Sequence, residues 1–186
     1  MTDNGVKPIR RIVTIEDEEG NSIACTDGPS PDVRTDPARP GFSSTRIWVI
    51  EATPAPIIGV RETLQLPHSL EPPAKGSVCR VVTFPPDRQF IEKVSEIDVR
   101  DYFDAMGSPH ACTFTADTPH PYMQETETVD FCLIMEGEIT LVLDTEEVQL
   151  KEGDTVIQQG ANHAWSNRSD RTCTIFFSLH DGSYDA

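Results

Sequence analysis

Between residues 128 and 135 the chain alternates as Thr-Val-Asp-Phe-Cys-Leu-Ile-Met. Neighbouring strand residues point to opposite faces, so Val129, Phe131, Leu133 and Met135 form one row. The other parity, followed back towards the N-terminus, reads Cys132, Asp130, Thr128, Thr126 and Gln124. A polar row on an inner face, backed by an apolar outer face, suits a barrel whose lumen holds a small polar ligand. The apolar face then needs cover from a second sheet, from the N-terminal part of the chain or from a partner subunit. More strands are predicted at 138–143, 146–150, 154–158 and 171–179, with turns at 136–137, 144–145, 152–153 and 167–170. Short strands at this even spacing predict an all-β sandwich or barrel.

The first 110 residues read differently. All fifteen prolines lie at or before Pro121, and proline removes ladder hydrogen bonds from a sheet. The pattern predicts a hairpin pairing 11–15 with 21–25, strands at 45–51 and 77–84, and a helix near 98–106. Residues 27–44 and 52–76 read as proline-rich connections. This divides the chain into an arm with a hairpin and strands over 1–110, packing on a barrel core over 111–186, within one structural domain.

Composition narrows the function. The chain has 186 residues and a net charge of −16. Residues 111–186 carry 3 basic against 14 acidic groups. Such a surface repels phosphate backbones and anionic membranes, so neither nucleic acid nor a membrane is expected as a partner, nor electrostatic capture of a highly anionic substrate. The longest apolar run, 131–135, is far short of the roughly 20 residues a membrane helix needs. There is no secretory signal pattern, and the five cysteines form no Cys-x-x-Cys pair. These features predict reduced thiols and a cytoplasmic location.

The stretch from His120 to Asn167 resembles the double motif of the cupin family. Gly153, Gly160, His163 and Asn167 match its second motif, and Gly137 anchors its first. The resemblance implies a double-stranded β-helix, or jelly-roll, barrel, and commonly a homodimer. In metal-binding cupins three histidines and a glutamate hold divalent iron, manganese or zinc. Here the glutamate place falls on Asp130 and two histidine places on Gln124 and Thr126, so only His163 keeps its type. No metal cofactor is expected. The weak alternative is a cation on His163, Asp130 and Gln124, poor company for a transition metal.

A carboxylate and an imidazole in an apolar barrel can act as an acid–base pair, abstracting a proton beside a carbonyl and protonating a leaving hydroxyl. The catalytic candidates are His163, Asp130 and His120, the last bordering the lumen with Tyr122 and Glu125. The substrate-binding candidates are Gln124, Thr126, Thr128, Cys132 and Trp165. Thr126-Glu127-Thr128-Val129-Asp130 also resembles a run in small cupins of bacterial and fungal polyketide and salicylaldehyde-type pathways. That implies a small-molecule enzyme of secondary metabolism acting on a carbonyl or polyketide-like substrate as a redox-neutral dehydratase, isomerase or cyclase. The alternatives are a metal-dependent oxidoreductase or dioxygenase and a non-catalytic ligand-binding protein.

Overall fold

The structure is a computed structural model that describes residues 7–57 and 61–184. Eleven strands, one α-helix and two short 3-10 turns are present among them. Residues 58–60 of the second proline-rich connection lie outside the described residues.

Strands β1 (Arg10–Glu16) and β2 (Ser22–Pro29) form a hairpin, with a register shift between Val13 and Thr14. Strands β3 (Asp32–Thr35), β4 (Ser43–Ile50) and β5 (Ser77–Phe84) follow. After the helix α1 (Glu96–Ala105) come β6 (Thr128–Glu136), β7 (Glu138–Leu143), β8 (Glu147–Lys151), β9 (Thr155–Gln159), β10 (His163–Ser166) and β11 (Cys173–Asp181). A six-stranded sheet has the order β3-β4-β5-β11-β6-β9, and a three-stranded sheet the order β10-β7-β8.

The six-stranded order corrects the expected division at residue 110. Strands from the first part are hydrogen-bonded into the barrel rather than laid over it, with β5 paired to β11 along its whole length. The proline-rich stretch 27–44 also contains β3, whose pairing with β4 no periodicity signalled. Strand β10, four residues long, went unpredicted because a strand that short carries too little alternation to read.

Between the two sheets lies the main core. Val49, Val78, Val82, Phe84, Ile134 and Ile175 face Ile139, Leu141, Leu150 and Trp165. On β6 the predicted alternation holds: Thr128, Asp130, Cys132 and Ile134 are buried, while Phe131, Leu133 and Met135 are exposed. Helix α1 closes one end. It starts at Ser95, whose hydroxyl accepts from the Asp98 N–H while the Asp98 carboxylate accepts from the Ser95 N–H, a reciprocal cap. Val99 and Phe103 pack inward with Phe90, Met106 and Tyr122 in a second cluster.

Two matched motif positions serve the fold. Gly137 turns β6 into β7 at φ +85°, and a Cβ there would sit 2.7 Å from the Thr172 carbonyl oxygen. Asn167 is fully buried; its amide donates to the Phe84 and Arg171 carbonyls at 2.9 and 2.8 Å, tying the end of β10 to β5. Asn167→Ala leaves two buried carbonyls short of a donor and is expected to cost about 2–4 kcal/mol in urea unfolding.

Candidate active site in the lumen

Register across three strands builds the inner wall. Arg80 on β5 lies opposite Phe177 on β11, and Phe177 lies opposite Cys132 on β6. Two residues along, Leu179 pairs Val78 on one side and Asp130 on the other. Arg80 and Asp130 therefore sit diagonally across β11 on one face. The facing wall comes from β10, where His163 pairs Leu143 and Trp165 pairs Leu141.

Of these, Arg80, Asp130, His163, Trp165, Phe177 and Leu179 line one cavity of about 70 Å³. Its apolar walls are Phe42, Leu70, Val82, Phe84, Phe177 and Leu179. Tyr102, Tyr122 and Trp165 add aromatic surface, and Ser44, Gln124, Thr126, Asp130, His163, Arg39 and Arg80 supply polar groups.

Of the sequence candidates, His163, Asp130, Gln124, Thr126 and Trp165 come together at this cavity. Gln124 arrives by a different route from the one expected. It is not on β6: the chain turns where the Thr128 N–H donates to the Thr126 carbonyl, and Gln124 pairs instead with His163 through two backbone hydrogen bonds. Thr128 is buried but does not line the cavity; its hydroxyl lies 2.8 Å from that of Thr126. Cys132 belongs to the core, and burial raises its thiol far above the usual range, which keeps it protonated. His120 lies outside the lining. A turn closed by the Met123 N–H on the His120 carbonyl aims the imidazole at Asp87, with Nε2 3.6 Å from the carboxylate.

The two central groups are tuned by burial. Asp130 is buried and its carboxyl is pushed up to about 6 by desolvation, against which the Thr128 hydroxyl and the Arg80 charge pull. Its Oδ1 has no protein partner. His163 is lowered, chiefly by burial. Its Nδ1 lies 2.9 Å from the Ala161 carbonyl, so Nδ1 carries the proton and donates. That leaves the Nε2 lone pair facing the Gln124 amide at 3.3 Å. The shifts of Asp130 and His163 arise from burial and from other neighbours, and no hydrogen bond joins the two groups.

Residues that sequence reasoning missed are two arginines. Arg80 shares the parity of Val78, Val82 and Phe84, and a charge on an apolar face was a readable signal. Arg39, in a proline-rich loop, carried no such signal. Its Nε donates to Asp36 at 2.6 Å, and its guanidinium carbon lies 3.8, 4.2 and 3.6 Å from the ring centroids of Phe42, Tyr102 and Tyr122.

The donor set fits a divalent metal poorly. His163, Asp130 and Gln124 offer one imidazole, one carboxylate and one amide, and the Arg80 charge acts on that same carboxylate. Among the described residues no group of three or more His, Cys, Asp or Glu side chains converges for a cation.

Residues 108–179 match the family model for the cupin domain. The chain is 27% identical over 157 residues to phomopsin biosynthesis cluster protein C' of Diaporthe leptostromiformis, and equally to cluster protein D of that fungus. Each match covers 75% of this chain and 75% of the relative. Among solved structures, the Schizosaccharomyces pombe Cnp3 cupin domain aligns with a TM-score of 0.45 at 9% identity, over 92% of this chain and 87% of that one. The relatives are thus fungal biosynthesis cluster proteins. No helix among the described residues is long and apolar enough to cross a membrane.

The raised Asp130 carboxyl has a stability signature. The folded protein holds this proton from about pH 4, where an unfolded aspartate releases it, up to about 6. Stability from this group is therefore greatest below pH 4 and falls as pH rises to 6. Asp130→Asn is expected to match the wild type near pH 4 and to exceed it at pH 8 by up to about 3 kcal/mol in thermal or urea unfolding.

Proposed function

We propose that this chain is a small-molecule enzyme of secondary metabolism that performs redox-neutral proton transfer on a carbonyl substrate, as an isomerase, dehydratase or cyclase. The observation that carries this reading is the pairing of Asp130, with a free Oδ1, and His163, with an Nε2 lone pair, on the walls of one aromatic cavity. The two groups do not hold each other: Asp130 Oδ1 is open to a third molecule, and the His163 Nε2 lone pair opens to one when the Gln124 amide turns to the substrate.

Ionised Asp130 accepts the proton from the carbon beside the carbonyl, and the electron pair moves onto the carbonyl oxygen. The Gln124 amide and the cavity N–H groups receive that developing negative charge. The carboxyl, now protonated, returns its proton to a neighbouring carbon in isomerisation or to a departing hydroxyl in dehydration. His163 Nε2 accepts a hydrogen bond from a substrate hydroxyl and orients it. The reaction needs no metal, in keeping with the poor donor set.

A homodimer is part of this proposal. Phe131, Leu133 and Met135 on β6 and Ile157 on the edge strand β9 are each at least 40% exposed and share the outer sheet face. A second copy is the occupant that resemblance implies for this face. Leu133→Glu is expected to convert a dimer into a monomer by sedimentation velocity; a monomeric wild type rejects it.

Solvent deuterium incorporation beside the carbonyl, followed by NMR over a panel of small ketones and keto acids, tests the chemistry. Wild-type exchange should fall as pH drops below about 6, where Asp130 takes up its proton. Asp130→Asn should slow it about 100-fold or more and His163→Gln about 10-fold. Undiminished exchange in Asp130→Asn rejects the reading.

A further inference from the structure

The lumen holds more hydrogen-bond donors than the proton-transfer reading uses. Arg39 Nη2, Ser44 Oγ, Arg80 Nε, Arg80 Nη1 and Trp165 Nε1 are buried, belong to cavity-lining residues and have no protein partner. Buried polar groups elsewhere that lack a hydrogen bond are, His68 Nε2 apart, better served. Arg46 Nε, Glu71 Oε1 and His120 Nε2 each have an oppositely charged or ionisable group within 3.6 Å. Orphaned donors are costly to bury, and their concentration in one cavity is what a ligand-binding surface looks like before its ligand is counted.

The two arginines differ in what they have left to give. Arg39 is neutralised by Asp36 and clamped between three aromatic rings, so it offers a fixed N–H rather than a free charge. Arg80 is 3% exposed and its Nη2 donates to the Ser69 and Leu70 carbonyls, both at 2.8 Å. No carboxylate among the described residues reaches it within ion-pair distance. Asp130 acts on it only across the width of β11. A buried guanidinium with two open N–H groups and no contact counter-ion calls for an anion.

We propose that the lumen binds a small planar organic monocarboxylate, with Arg80 as its counter-charge and Arg39, Ser44 and Trp165 as further donors. This rests on the reading of the lumen as the active site and names the substrate class. The cavity is not closed, so the flat, unsaturated part of the molecule enters against Phe42, Phe84 and Phe177 and the remainder extends beyond the 70 Å³ hollow. One positive charge without a contact counter-ion suits one negative charge. A second depression shares Thr126 with the lumen and is lined by Glu71, Glu125, Glu127 and Asp181, which disfavours multiply charged anions such as phosphate.

Isothermal titration of the full chain with benzoate, with its neutral counterpart benzamide and with inorganic phosphate tests this. Benzoate should bind at least tenfold more tightly than benzamide, and phosphate should neither bind nor compete. Arg80→Met should lose at least tenfold for benzoate with benzamide unchanged. Asp130→Asn removes the carboxylate that repels the ligand and should tighten benzoate at least threefold, a result that stands even if Arg80→Met fails to fold. Equal affinities for benzoate and benzamide, or benzoate binding unaltered in both variants, overturn the subsite. Benzoate has no hydrogen on a carbon beside its carboxyl, so its binding is independent of the exchange assay. Benzoate binding without any exchange upholds the subsite and removes the catalytic reading alone.

Discussion

Strand register across β5, β11 and β6 is the constraint on which the site depends. It places Arg80, Phe177 and Cys132 in one line and Val78, Leu179 and Asp130 in the next, all facing inward. A slip of one residue in any of these pairings would send a charge outward and an apolar side chain to solvent. The apolar partners on each strand hold the register, and the register in turn holds two opposite charges in a medium that solvates neither. The lift in the Asp130 carboxyl and the open donors of Arg80 have this common origin.

Inside and outside have opposite electrostatic character. The exterior is strongly acidic, while the lumen gathers two guanidinium groups and a single central carboxylate. Net charge describes solubility and long-range encounter. Short-range recognition follows from which desolvated charges lack a contact partner, and here the open donors are those of Arg80. A chain that repels polyanions can in this way hold a cavity suited to one carboxylate.

The matched motif residues divide between the fold and the cavity wall. Gly137 and Asn167 secure a turn and a strand end. His163 faces the cavity, fixed by the Ala161 carbonyl on one ring nitrogen and by Gln124 on the other. Backbone pairing of Gln124 with His163 brings the two halves of the double motif together at one point.

Alternation along 128–135, the even spacing of the later strands and the strand at 77–84 were sufficient to specify an all-β sandwich or barrel and the inward face of Asp130, because period two is a local property of strands. His163 was located by resemblance, through glycine and His-x-x-x-Asn spacings that match the second cupin motif. Tertiary structure alone decided that β3, β4 and β5 complete the larger sheet, that His120 turns to Asp87, and that Arg39 and Arg80 meet over one cavity. Those outcomes rest on contacts between residues distant in the chain, Arg80 opposite Phe177 and Arg39 beneath Tyr122 among them, and no local pattern encodes which distant strand or loop will be the neighbour.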